Sequence, residues 1–260
     1  VIMEEGSEMR ITTAKSDAGG GCVVFMAGLT ITRATLSMVD CECGLNEDGG
    51  AYFGGTITQV GSSIEMGSRM QCDPTDPDVC YALMTSGGVA KMLAGWTAVD
   101  STIHLHDGLS ELDGGCINSQ AFSLTNTTLT MERCRSAAGG GFYSRWVSLQ
   151  FVPFFAILQL GNIDTIDSTV VVRNAVALEN GGCFWGQADH EFTRTTLIME
   201  DSRAALGAGL YSTKGVVITN STVNTTGLTA TDTGATVHAT TVTTTGSTWT
   251  LVNGRAQDGA

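Results

Sequence analysis

The stretch Thr102-Ile103-His104-Leu105-His106-Asp107-Gly108-Leu109-Ser110-Glu111-Leu112-Asp113-Gly114-Gly115-Cys116-Ile117 holds two short boxes that recur along the chain. The first reads hydroxyl-apolar-any-apolar and is carried by Thr102-Ile103-His104-Leu105. Its other copies begin at Thr35, Ser63, Thr128, Thr169, Thr196, Thr222 and Thr248, with spacings of 28, 39, 26, 41, 27, 26 and 26 residues. The second is a Gly-Gly-small-apolar box, Gly114-Gly115-Cys116-Ile117. It returns at Gly19, Gly49, Gly87, Gly139 and Gly181, and in weaker form at Gly207, Thr233 and Asp258. Both registers lengthen at the same two places, so they mark one regular array with two insertions, about 67–86 and 144–162.

Period-2 alternation assigns the faces. The residue after the hydroxyl is apolar in all eight copies, and the residue two further on is apolar in seven, with Thr225 the exception. Those columns face inward. The column between them, Ser37, Glu65, His104, Thr130, Val171, Ile198, Asn224 and Thr250, is mixed and faces outward. A 26-residue coil of three short strands cannot bury its apolar side alone. Coils stacked at about 4.8 Å form continuous parallel sheets around one core. The expected fold is therefore all-β, a right-handed parallel β-helix of about eight to nine coils, one unit over 1–260. The hand follows from the preference of twisted strands for right-handed crossovers. The Gly pairs mark a corner, where left-handed backbone and close chain approach exclude a side chain.

Composition agrees. There are 33 glycines and 3 prolines among 260 residues, and Thr is abundant. The formal charge of −13 excludes a nucleic-acid partner, since such a surface cannot neutralise phosphates. It equally disfavours anionic lipid. No apolar window reaches the length needed to span a bilayer, and the start of the chain has no leader pattern. The chain closes on another copy of the repeat, so it is expected to be part of a longer one.

At Gly49-Gly50-Ala51-Tyr52-Phe53 and its cognates the chain resembles the Gly-Gly-Ala-Ile repeats of polymorphic outer membrane proteins and, more broadly, pectin-lyase-like parallel β-helix proteins. Similar repeats occur in large surface proteins of algae and other protists. The resemblance implies an extracellular passenger, adhesin or coat protein.

Eight cysteines fit an oxidising compartment. Cys72 and Cys80 bracket an acidic loop and are the expected bridge. Cys116 and Cys183 share one column two rungs apart, too far to pair. Cys41 and Cys134 share a corner column with Asn174 and Ser202. Cys22, Cys41 and Cys43 lie on neighbouring coils, with partners left open. Acceptor sequons stand at Asn126, Asn220 and Asn224. Asn126 and Asn220 fall in a column with Arg33, Asp100, Asp167 and Arg194 that reads as an exposed turn. The second insertion carries Trp146, Phe151, Phe154 and Phe155, candidate partner contacts in the most apolar window of the chain.

A search for chemistry finds little. Asp48, Asp113 and Asp232 precede corners, where acids are ordinary turn formers. His104 and His106 project outward on either side of Leu105 but show no third ligand. Asp73, Asp76 and Asp78 lack a recognised calcium spacing. No catalytic residue, metal or cofactor is expected. The reading is a non-enzymatic extracellular structural protein of a surface coat, filament or appendage, whose partners are other subunits or further repeats of the same chain. An adhesin that binds a receptor or glycan through its lateral face or apolar insertion is the alternative. A polysaccharide lyase or hydrolase is the third.

Overall fold

A computed structural model describes residues 1–16, 21–42, 47–68, 71–73, 76–81, 84–86, 88–144 and 162–258, with backbone alone for 47–48, 71–73, 76–81, 84–86 and 142–144. The chain is an all-β parallel solenoid, and no helix occurs among the described residues. The hydroxyl boxes form a nine-stranded sheet from Glu8–Thr12 to Thr248–Val252, with every pairing parallel. After it the chain enters a seven-stranded sheet of short strands that includes Ser110–Asp113, Arg135–Ala138 and Val176–Asn180. Beyond the Gly corner come two tiers of a fifteen-stranded sheet, fused through the long strand Leu210–Thr219. One tier holds Ile117–Ser119 and its cognates, the other Ala121–Thr125 and its cognates. The seven rungs of the seven-stranded sheet set about seven full turns.

The pairing register follows the alternation, with two departures in burial. Leu251, on the last rung of the inner column, is exposed, and Val171, in the outer column, is buried. Leu36 pairs with Ile64, Ile64 with Ile103, and Ile103 with Leu129, and none of the four is more than 1% exposed. The parallel column of Met38, Met66, Leu105, Met131, Val172 and Met199 is fully buried. Thr225 takes the next place in that column and stays buried because its hydroxyl donates to the Thr250 carbonyl. Each large side chain removed from water here is worth about 1.5–3 kcal/mol. The solenoid is thus held along its whole length by one continuous core.

Three lines of left-handed backbone form its edges. The corner glycines Gly49, Gly114, Gly139, Gly181, Gly207 and Gly234 form one. Asp100, Asn126, Asp167, Arg194 and Asn220 form a second, and Asp40, Asp107, Arg133, Asn174 and Asp201 a third. The paired glycines have distinct roles. Gly114 needs its positive φ of 66°, whereas a Cβ on Gly115 would lie 2.1 Å from the Gly140 carbonyl of the next rung.

The second edge carries a ladder of hydroxyls. At most of these bends the residue after the left-handed position is a buried Ser or Thr whose oxygen accepts an N–H from the rung before. Ala34, after Arg33, and Thr195, whose hydroxyl meets that of Thr165 instead, are the exceptions. Ser62 accepts from Ala34, Ser101 from Ser62, Thr127 from Ser101, Ser168 from Thr127, and Ser221 from Thr195. Each hydroxyl also donates to the carbonyl two residues behind it, as Ser101 does to Val99 at 2.6 Å. Backbone groups that the bend removes from the sheet are satisfied in this way.

The expected insertion limits are narrower in the structure. Gly67 and Ser68 stay in the nine-stranded sheet, and Met84–Ser86 is a rung of the seven-stranded one. Between them Gln71–Asp73 and Asp76–Tyr81 form a separate antiparallel pair. Ser144 and Asn162, the expected ends of the second insertion, are also rungs, because both pair in register with their neighbours. Residues 145–161 lie outside those described.

Candidate functional site

The outer face of the nine-stranded sheet gathers the chemistry-bearing side chains. Leu105 is fully buried, so alternation fixes His104 and His106 on the outside of the same strand. Parallel register sets Glu65 beside His104 on the preceding rung and Glu132 beside His106 on the following one. Glu65 Oε1 lies 4.0 Å from His104 Nδ1 and 3.9 Å from His106 Nε2. The imidazole centroids are 5.1 Å apart. One ligand atom from each of Glu65, His104 and His106 falls within 4.8 Å of the other two.

The surroundings orient these groups. His106 Nδ1 lies 2.7 Å from Asp107 Oδ2. An ionised carboxylate only accepts, so the ring proton sits on Nδ1 and the Nε2 lone pair faces Glu65. Arg133 grips Asp107 with two bonds, Nε to Oδ1 at 2.6 Å and Nη2 to Oδ2 at 2.9 Å. Partial burial would raise the Asp107 carboxyl. The hydrogen bonds and charges of Arg133 and His106 outweigh it and hold the group well below the usual carboxylate range. Ser37 Oγ donates to Glu65 Oε2 at 3.2 Å, which leaves Oε1 toward the histidines. Glu132 approaches His104 Nε2 at 3.8 Å but is also claimed by Arg173 at 3.3 Å, which in turn holds Glu200 at 2.7 Å. Gly67 makes room for the His106 ring, since a Cβ there would lie 2.3 Å from His106 Cε1.

The other candidates separate. Asp48 and Asp113 flank Ser86 on its two sides, two rungs apart as the repeat implied. Asp232 belongs to a turn much further along. Asp73, Asp76 and Asp78 have only their backbone described. Trp146, Phe151, Phe154 and Phe155 lie outside the described residues. Cys72 stands directly opposite Cys80 across the antiparallel pair, with their side chains beyond what is described.

Among the described residues two bridges are seen, Cys22–Cys41 and Cys116–Cys134, each spanning one coil from the Gly corner to the third edge. The corner column of Cys134 runs through Ala175, not Asn174. Asn174 takes the left-handed position of the bend, and its successor turns inward. Cys183 is buried and unbridged. Its thiol is pushed up to about 12 by burial, against a hydrogen bond with Ser202. Two bridges agree with an oxidising compartment.

Asn126 and Asn220 are exposed at the second edge with φ of 46° and 49°. The pattern there is a left-handed residue, a buried hydroxyl and a hydroxyl that opens the strand, seen also in Asp100-Ser101-Thr102 and Asp167-Ser168-Thr169. Asn is one of the few non-glycine residues that enters this backbone region readily. Both sequons therefore arise from turn chemistry. Asn224 differs, lying in a strand with Ile198 and Thr250 on either side.

Trp185, Tyr211 and His238 stack on consecutive rungs with interplanar angles of 6° and 7°. Their ring faces cover one another, so the ladder offers mainly edges to a ligand. The Glu65 contribution to the histidine cluster was the functional feature that sequence reasoning missed. The signal for it lay in the shared outer column of Glu65 and His104. No family model, curated protein or solved structure matches the chain.

Proposed function

We propose that the chain is a length of rigid, non-enzymatic extracellular scaffold within a surface coat, filament or appendage. The observation that carries this reading is the unbroken inner ladder, from Leu36 through Val223, with each rung at most 1% exposed. A core that repeats without interruption makes a stiff, linear object whose stability is a sum over neighbouring rungs. The two intracoil disulfides support the oxidising location that the reading needs. The right hand, a count of eight to nine coils and kinship with polymorphic outer membrane proteins or pectin-lyase-like β-helices belong to the same proposal.

The test is assembly and silence. Purified protein should form rods in negative-stain images and associate end to end, with no retention on a glycan array or in a receptor pull-down. Specific retention would favour the adhesin. Cleavage of neutral or acidic polysaccharides, abolished by Asp113→Ala, would replace the scaffold with an enzyme.

A further inference from the structure

We propose that Glu65, His104 and His106 form a binding site for one divalent transition-metal ion of the zinc class. A tetrahedral ion with bonds of about 2.0–2.2 Å needs its ligand atoms roughly 3.4 Å apart. Glu65 Oε1 already approaches this, at 3.9 Å from His106 and 4.0 Å from His104, and all three ligand atoms lie within 4.8 Å of one another. Small side-chain rotations on an open face close the remainder.

Two features outside the ligand set point the same way. The Asp107 carboxylate fixes the His106 tautomer with Nε2 available, and Arg133 fixes Asp107. This is the arrangement that orients imidazole ligands and raises their basicity. Ser37 turns the second oxygen of Glu65 away, leaving one oxygen for an ion. The donor set selects the metal. Two imidazoles and one carboxylate suit zinc, copper or nickel, whereas calcium and magnesium require mostly oxygen. The fourth position faces solvent and would hold water.

The location gives the site a purpose. Glu65 stands on the last rung before the antiparallel pair leaves the ladder, and the histidines stand on the rung after it. An ion here staples two coils across the break, as a disulfide would, and it does so on the outside of the rod.

The experiment uses the whole chain, stripped with chelator and titrated calorimetrically with Zn²⁺, Ca²⁺ and Mg²⁺, with Co²⁺ as a spectroscopic probe. One Zn²⁺ should bind per chain with a dissociation constant in the micromolar range or below, and thermal unfolding should shift upward by several degrees. Glu65→Gln and His106→Gln should each weaken binding at least tenfold. Asp107→Asn, which keeps a residue tolerant of left-handed backbone, should weaken it about 10–100-fold. His104→Gln, at a half-exposed ring, is the variant least able to disturb folding, and circular dichroism in chelator checks each one. Absence of saturable binding below about 1 mM would overturn the site. So would stoichiometric binding that all four variants leave unchanged, or a thiolate charge-transfer band with Co²⁺, which would place the ion on cysteine.

Discussion

The thiol of Cys183 meets the hydroxyl of Ser202 at the point of the cross-section where Cys116 is bridged to Cys134. Register fixes the equivalence. Ile117 pairs with Phe142 and Phe142 with Phe184, while Glu132 pairs with Arg173 and Arg173 with Glu200. Ser202→Cys should therefore close a third bridge. A loop of this length is worth about 3 kcal/mol. The variant should unfold at a higher temperature than wild type under oxidising conditions, with the gain abolished by reductant. An unchanged melting temperature with Cys183 still titrating as a thiol after unfolding would show that the two positions are not equivalent.

His190 is fully buried against Gly186, and neither ring nitrogen has a well-formed hydrogen bond among the described residues. Burial pushes its pKa from 6.5 down to about 4, with the Tyr211 backbone and Asp189 pulling weakly the other way. The unfolded chain thus binds the proton more readily than the folded one. Stability is full above pH 6.5 and falls as pH drops toward 4, by about 3 kcal/mol for this group. Denaturant titrations of wild type and His190→Leu at pH 7 and pH 4 should show wild type losing about that much more. Parallel losses in the two proteins would mean that the ring is hydrated in the native state.

The hydroxyl ladder separates stability from glycosylation at one sequon. Thr127 is buried and accepts the Ser101 N–H, so Thr127→Val strands a buried donor and should cost about 1–3 kcal/mol. Thr128 is exposed, and Thr128→Val should change stability by less than about 0.5 kcal/mol. Denaturation curves read the first effect. Peptide mapping of protein from a eukaryotic secretory host reads the second, with a glycan at Asn126 retained in Thr127→Val and lost in Thr128→Val.

Gly115→Ala should cost about 3 kcal/mol or more, because the new Cβ meets the Gly140 carbonyl and the Arg135 backbone, which cannot move independently. Gly254→Ala meets only the end of the half-exposed Leu251 side chain and should be nearly neutral. Equal midpoints in urea for the two variants would refute the close-approach role of the second glycine.

The inner columns, the Gly corners and the turn column through Asn126 and Asn220 were legible because each repeats a residue type at a fixed phase. What escaped was anything that crosses between columns. Cys116 and Cys134 belong to different columns, so comparison along each column offered no partner, although an 18-residue separation within one coil joins them. Asn174 was placed one position off: Ala175 stands six residues after Thr169, as Cys134 does after Thr128 and Ser202 after Thr196. Glu65 and His104 were known to share a column. Phase gives neighbours but not reach, and the position of the His106 ring near Glu65 depends on the missing side chain at Gly67.

The hydroxyl ladder also gives the rod a mechanical direction. The turn N–H groups of Ala34, Ser62, Ser101, Thr127, Thr195 and Ser221 lean on the coil that follows, while the ladder hydroxyls keep their own carbonyl acceptors whether or not the preceding coil is present. Peeling a coil from the C-terminal side bares a donor, and peeling one from the N-terminal side bares a hydroxyl that is already engaged. Under tension the two ends should therefore yield at different forces, and the rod should unravel as a ratchet rather than as a symmetric spring.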